Sequence, residues 1–106
     1  MRQKHDIRIS DDARIDIKFF VDKGKVVKFS INVSMLSDDE AEDVFRVDTY
    51  HHRLHCQKFW ISCRTIWLEN EGKDDYTQEF MHWKKEVLEN FQRWVKLYKT
   101  KKQEGK

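Results

Sequence analysis

Two runs of alternating residues, separated by one short turn, constrain the fold of this chain more than any other feature. In residues 14–22, RIDIKFFVD, apolar and charged side chains alternate except at Phe20, and residues 26–35, VVKFSINVSM, repeat the pattern. A period of two over this length predicts strands with one buried and one exposed face. The segment DKGK lies between the runs, and Gly24 can adopt the positive φ of a tight turn. The sequence therefore predicts a β-hairpin.

Two further strands are predicted downstream of the hairpin. Residues 44–50 alternate in the same way, and residues 59–68 are rich in the Trp, Ile and Thr that favour strands, although two faces of this run compete for the buried side. The acidic segment 38–43, DDEAED, is expected to be a loop, while the residue spacing around it also permits a short capped helical turn. Residues 7–9, IRI, fit either a short edge strand or an irregular lead-in.

A long amphipathic helix is predicted near the end of the chain. Apolar side chains recur at helical spacing for about five turns, at Phe80, Trp83, Val87, Leu88, Phe91, Trp94, Val95 and Tyr98. Asp75 and Gln78 supply an N-cap and its reciprocal partner, so the helix is predicted over residues 76–98. The residues expected to form a common core are Ile17, Phe29, Ile31, Phe45, Val47, Phe91 and Trp94.

These elements predict an α+β fold, an antiparallel four-stranded β-meander with one long C-terminal α-helix packed on one face. At 106 residues the chain is expected to be a single domain spanning 1–106, with residues 1–6 and 100–106 as flexible tails. Because one helix covers one face, the other face is expected to remain open to solvent.

Composition excludes some functions and compartments. The formal net charge is only +2, which indicates no global electrostatic commitment to nucleic acid. No run approaches the roughly 20 apolar residues of a membrane span. Cys56 and Cys63 lack the spacing of a zinc or redox motif, and the N-terminus lacks an apolar signal segment, so we expect a cytoplasmic protein without a cofactor.

Residues 44–56, VFRVDTYHHRLHC, concentrate polar chemistry in one short stretch. His51, His55 and Cys56 carry atoms that zinc accepts, but their spacing is not that of a standard zinc pair, so we expect no metal. A Cys56–His55 nucleophile pair is disfavoured because adjacent residues on a strand point to opposite faces.

Metal-independent RNA cleavage needs a base, an acid and a cation that binds the phosphorane. Histidine transfers protons near neutral pH, and arginine binds phosphate through its planar fork of donors. The candidate catalytic residues are Arg46, Asp48, His51, His52 and His55. Asp48 is assigned a supporting role in orienting Arg46 or a histidine. Candidate nucleic-acid-binding residues are Tyr50, Arg53, Lys58 and Arg64. The competing interpretation is a salt-bridged strand in which Arg46 pairs with Asp48 or with an acid on a neighbouring strand.

The segment VFRVDT with its trailing histidines resembles the R-x-D-N or R-x-D-T segment of the TumE family of toxin–antitoxin toxins and of an uncharacterised group close to it. The matching positions are Arg46, Asp48, Thr49 and His51, and the resemblance extends loosely to the preceding meander and to Trp94 in the late helix. This chain continues HHRLHC, where the family usually has His-Gly or a proline-bearing loop. The resemblance implies a toxin-like protein that acts on RNA or translation.

Two functional hypotheses follow. The first is a cytoplasmic toxin-like protein that binds RNA, with cleavage by the Arg46–His55 cluster and an antitoxin-like protein as its cognate partner. The second is a non-catalytic interaction module that binds a protein partner, or a second copy of itself as a homodimer, through the open sheet face or a sheet edge.

Overall fold

The computed structural model describes residues 2–38, 40–49, 53–62, 64–69 and 71–104. These residues form one antiparallel sheet and one C-terminal helix. The elements are β1 (Arg2–Ser10), β2 (Ala13–Asp22), β3 (Lys25–Ser37), β4 (Glu40–Asp48), β5 (His55–Lys58), β6 (Ile66–Trp67) and α1 (Thr77–Glu104). The strands follow one another across the sheet in chain order, so the topology is a meander.

The predicted hairpin is confirmed as β2–β3. Its turn has positive φ at both central residues, 51° at Lys23 and 77° at Gly24, the combination that matches the twist of paired strands. The ladder shifts register between Phe20 and Val21. Phe20 pairs with Lys28 on the polar face of the sheet, and the Lys28 ammonium lies 4.3 Å from the centre of its ring.

The predicted number of strands was wrong, because the sheet in the described chain has six strands rather than four. Residues 2–6, expected to be a tail, lie in β1. The signal was weak because β1 is exposed apart from half-buried Asp6, so its sequence needs no apolar alternation. Backbone pairing with β2 holds it in place.

The run 59–68 is not one strand. β5 ends at Lys58, and the amides of Ile61 and Ser62 turn back to donate to the Lys58 carbonyl, at 2.9 and 3.1 Å. Trp60 then stacks on Phe45 with a ring-centre distance of 6.4 Å. Its aromatic character therefore serves helix–sheet packing rather than strand pairing.

The acidic segment is mostly strand rather than loop. β4 begins at Glu40, which pairs with Ser37 across a tight turn whose residue Asp38 has a φ of 51°. The Lys102 ammonium at the end of α1 donates to both carboxylate oxygens of Glu42. Strand pairing and an opposite charge on the helix thus accommodate the acids, which sequence pattern alone does not reveal.

The helix covers one face of the sheet, as predicted. The Asp75 carboxylate accepts a hydrogen bond of 3.0 Å from the Thr77 amide and caps its first turn. Residues 100–104 were predicted to be part of a flexible tail, but they continue this helix. The buried residues of α1 are Phe80, Val87, Trp94 and Val95. All the predicted core residues are buried except Phe91, which is partly buried and packs against the core.

Ring contacts join the helix to three strands. Phe80 lies 4.5 Å from Phe19 of β2 and 5.4 Å from Phe29 of β3, and Trp94 lies 4.3 Å from Phe45 of β4, measured between ring centres. In the described parts of the chain, no helix combines the length and apolar character that a bilayer crossing requires.

Candidate functional site

A row of polar side chains crosses the open face of the sheet from β2 to β6. Lys18 is paired with Ser30, Ser30 with Asp48, Asp48 with His55 and His55 with Trp67. Residues directly opposite each other in an antiparallel sheet project from the same face. The register of the strands therefore brings together residues far apart in sequence.

This row lies in a cavity of about 710 Å³, which we call the open-face pocket. Its lining residues are Lys18, Phe20, Lys28, Phe29, Ser30, Arg46, Asp48, Thr49, His55, Gln57, Thr65 and Trp67. The volume falls within the range of small-ligand sites in proteins.

An Asp48–His55 pair lies at the centre of the pocket. His55 Nε2 is 2.8 Å from Asp48 Oδ1, and each residue is 7% exposed. The other ring nitrogen, Nδ1, is 3.1 Å from the Arg53 carbonyl oxygen. Because both partners are acceptors, His55 forms both hydrogen bonds at once only when both ring nitrogens carry protons. The pair thus holds the ring in a fixed orientation.

Positive charge surrounds this pair. Lys18, Lys28 and Arg46 line the pocket, whereas Asp48 is the single acid among its described lining residues. Arg46 Nε lies 3.8 Å from Asp48 Oδ2, so Asp48 has cationic or hydrogen-bonding groups on both oxygens. The excess of cations makes the pocket suited to an anionic ligand.

Aromatic rings flank the cations. Trp67 is 47% exposed, its ring centre is 5.0 Å from that of His55, and the Arg53 guanidinium lies 4.0 Å from its ring centre. Lys28 lies over Phe20 at the opposite side, so a cation contacts an aromatic ring at two places, one in the pocket and one at its border. Such pairs suit a ligand with both negative charge and a planar ring.

A single carboxylate oxygen positions the β5–β6 side of the pocket. Glu69 Oε1 accepts hydrogen bonds from the Leu54 amide at 2.8 Å and from the Tyr76 hydroxyl at 2.6 Å. Burial, together with the hydrogen bond to Glu69, raises the pKa of Tyr76 to about 12. This network ties the segments before β5 and after β6 to the start of α1, and thereby places His55 and Trp67.

A family model described as a domain of unknown function, DUF7718, matches residues 1–104. The chain belongs to this family. No curated protein and no solved structure matches it. The family description assigns no activity, and the resemblance to TumE-like toxins stays a prediction.

Of the predicted catalytic residues, the structure brings Arg46, Asp48 and His55 together in the DUF7718 chain. His51 and His52 lie outside the described residues. Arg46 is exposed and Asp48 is buried, so the two neighbours on one strand face have different environments. The contact of Arg46 with Asp48 also agrees with the competing salt-bridge interpretation.

The described members of the predicted nucleic-acid-binding set do not lie together in the structure. Arg53 lies beside the pocket through its contact with Trp67. Lys58 is paired with Phe45 and so projects from the helix-covered face, and Arg64 is exposed outside the pocket lining. Tyr50 lies outside the described residues. Thr49, matched by resemblance, is buried, and its hydroxyl accepts a hydrogen bond of 3.0 Å from the Phe29 amide, which is a structural role.

The residues considered for a metal site and for a nucleophilic thiol also lie on opposite faces of the sheet. Cys56 is paired with Val47 on the core face and is 1% exposed, whereas His55 projects into the pocket. Burial raises the pKa of the Cys56 thiol, which disfavours the nucleophilic thiolate. Among the described residues, no group of three or more histidine, cysteine or carboxylate side chains is arranged to hold a metal ion.

Sequence reasoning missed the residues that other strands contribute to this DUF7718 pocket. Lys18 and Phe20 come from β2, Lys28 from β3 and Trp67 from β6. Phe20 carried only a weak signal, because a single aromatic residue on a polar strand face is ordinary at a protein surface. The lysines carried none, since charged residues are ordinary on the solvent face of a strand.

Proposed function

We propose that this chain is a cytoplasmic, toxin-like protein that binds single-stranded RNA in the open-face pocket. The observation that supports this most is the convergence of Lys18, Lys28 and Arg46 on one cavity. Arginine and lysine are the usual phosphate-binding side chains. Asp48 forms a hydrogen bond with His55 and lies 3.8 Å from Arg46, so the permanent charge of the arginine lessens the repulsion between Asp48 and an incoming phosphate.

Unpaired rather than duplex RNA fits the pocket. Phe20 and Trp67 lie beside cations in a recess, and aromatic side chains bind RNA bases by stacking on bases that are not paired. A duplex presents mainly its phosphate backbone to a protein of this size. Phosphates on the cations and one base near an aromatic ring would therefore use both kinds of lining residue.

The test is fluorescence anisotropy with a labelled single-stranded RNA, a duplex of the same sequence and free nucleotides, at several salt concentrations. Three phosphate contacts predict a slope of log affinity against log salt of about −2, at roughly −0.7 per contact on single strands. The Arg46→Ala variant should bind about tenfold more weakly, equivalent to about 1.4 kcal/mol, and its slope should become shallower by about 0.7.

Lys85→Ala is the matched control, because Lys85 is exposed on α1, on the other side of the sheet. It removes the same charge and should change the affinity less than twofold. An equal loss in both variants would mean that the binding is a non-specific charge effect. Tighter binding of free nucleotides than of RNA would assign the pocket to a small ligand instead.

In its catalytic version, this proposal adds cleavage of the bound RNA. In its regulatory version, an antitoxin-like protein covers the pocket. Such a partner would compete with RNA for Arg46 and the lysines. The alternative function is a protein-interaction module that uses the open sheet face or a sheet edge, and the exposed edge of β1 is a surface separate from the pocket.

A further inference from the structure

β1 exposes a long, unpaired strand edge. It spans nine residues and, in the described chain, is paired on one side, with β2. The strand at the opposite edge, β6, has two residues. Short edges are a common way to prevent unwanted strand pairing, whereas a long one is a template for another strand.

The backbone groups available on this edge follow from the β1–β2 turn. Ser10 and Ala13 pair across a two-residue connection, and the pair that closes such a hairpin exchanges its hydrogen bonds within the hairpin. Even-numbered residues of β1 therefore direct their backbone groups to β2. Gln3, His5, Ile7 and Ile9 direct theirs away from the sheet.

We propose that β1 pairs antiparallel with β1 of a second copy, with Ile7 opposite the partner's Ile7. In this register, Asp6 lies opposite the partner's Arg8, and by symmetry Arg8 lies opposite the partner's Asp6. Opposite charges at directly paired positions stabilise a sheet. Ile7 and Ile9 are 46% and 66% exposed. In the dimer, the Ile7 and Ile9 side chains of the two copies would partly cover one another on the open face.

Symmetric registers centred on His5, Asp6 or Arg8 place like charges together, and one centred on Ile9 pairs a much shorter segment. Centring the pair on Asp6 puts two aspartates opposite each other and Lys4 opposite the partner's Arg8. Centring it on Arg8 puts two arginines opposite each other. Centring it on His5 puts Arg2 opposite the partner's Arg8, which offsets the attraction between Lys4 and the partner's Asp6. Like charges directly opposite destabilise strand pairing, so the strand's own sequence selects the register centred on Ile7.

The proposed dimer has a two-fold axis perpendicular to the sheet, as an isologous interface requires. Two backbone hydrogen bonds form at each pair of residues whose backbone groups point away from β2. These pairs are Ile7 with the partner's Ile7, His5 with the partner's Ile9, and Ile9 with the partner's His5. Both open-face pockets then face the same side. An edge contact of this length buries less than the roughly 1,200 Å² of a stable interface, so the dimer is expected to be weak and concentration-dependent.

A charge swap tests the pairing by sedimentation velocity over a wide concentration range. The wild-type mass should rise from 13.0 kDa toward twice that value. Asp6→Arg and Arg8→Asp alone should each weaken the dimer about tenfold, by replacing attraction with repulsion at two symmetric positions. The double variant should restore the dissociation constant to within threefold of wild type.

Arg2→Asp is the control, because it makes the same charge change as Arg8→Asp but lies beyond the paired segment. It should leave the mass distribution unchanged. Each single variant removes the exposed Arg8–Asp6 ion pair within β1, which contributes little to folding, so thermal unfolding should confirm intact folds. A monomer at every concentration, or a double variant no better than the singles, would overturn the proposal.

Disulfide trapping tests the register separately, in a Cys63→Ser background. The Ile7→Cys variant should cross-link, since hydrogen-bonded antiparallel pairs have Cα atoms about 5.5 Å apart, within disulfide range. The Ile9→Cys variant should not, because its two copies would lie four residues apart along the strands, about 14 Å. Equal cross-linking of both variants would exclude this register. None of these outcomes depends on RNA binding.

Discussion

Glu69 holds three segments of the chain together through one oxygen atom. It accepts from the Leu54 amide and the Tyr76 hydroxyl, and the same Tyr76 hydroxyl accepts a hydrogen bond of 3.0 Å from the Lys73 amide. Tyr76 is 1% exposed, so water cannot replace these partners easily. At this scale, single hydrogen-bonding groups decide where the short strands β5 and β6 lie.

Tyr76 contributes to the stability of the fold, and this contribution is lost at alkaline pH. Its pKa is raised by burial and by Glu69 to about 12, against an ordinary value of about 10. Because the folded state disfavours the ionised ring, the contribution is complete below pH 10 and is lost as the pH rises toward 12. We expect the free energy of unfolding to fall between pH 10 and 12, and less steeply in Tyr76→Phe.

That variant should also lose about 1.5–3 kcal/mol at pH 7, the usual value of a hydrogen bond to a charged group. Urea denaturation at each pH measures both effects, and absorbance at 295 nm follows tyrosine ionisation. Parallel pH profiles for the wild type and Tyr76→Phe would show that other groups cause the alkaline loss.

The helix α1 has two parts with different energetic roles. As far as Val95 it carries the buried residues that pack on the sheet, whereas its last turns lie at the surface. There Lys99 pairs with Asp12 and lowers the pKa of that carboxyl, and Lys102 pairs with Glu42. Exposed ion pairs of this kind contribute little to stability, because solvent screens the two charges.

Truncation after Tyr98 should therefore lower the free energy of unfolding only slightly, because it removes two exposed ion pairs and, among the described residues, no buried side chain. Trp94→Ala should cost about 3–5 kcal/mol, because it empties a buried position in contact with Phe45 and Trp60. Urea denaturation of both variants measures the difference. A truncation more costly than Trp94→Ala would mean that the last turns contribute to the core.

The whole molecule has two unlike sheet faces. One is sealed by α1 through aromatic packing, and the other carries the open-face pocket and continues onto the exposed edge of β1. A ligand can reach Arg46 and Lys28, both exposed, without disturbing the core. Binding chemistry and fold stability are therefore separable in this chain, which makes substitutions in the pocket informative.

RNA cleavage, if the pocket catalyses it, is predicted to require a histidine as base and another as acid. Single-turnover rates should then follow a bell-shaped pH dependence, and replacing His51, His52 and His55 together by alanine should slow cleavage by roughly 10²–10⁴-fold or more. His82→Ala is the matched control, since His82 is exposed on α1. Equal rates in all variants, or no cleavage by the wild type, would leave RNA binding without catalysis.

The local sequence pattern was sufficient to predict the elements that bury one apolar face. The β2–β3 hairpin and α1 were predictable because burying an apolar face imposes a period of two on a strand and of 3.6 on a helix. The core residues from Ile17 to Trp94 were predictable for the same reason. Arg46, Asp48 and His55 were identified as candidates because they lie within ten residues of one another.

The sequence by itself thus determined the hairpin, the helix and most of the core. Only the tertiary structure decided that β1 is a strand, that the chain turns at Phe59, and that Lys18, Lys28 and Trp67 join Asp48 and His55. Strand partners are chosen by turns and register shifts, and a one-residue change of register moves every side chain to the other face. A pocket built across five strands is therefore a property of the register, which no single stretch of sequence encodes.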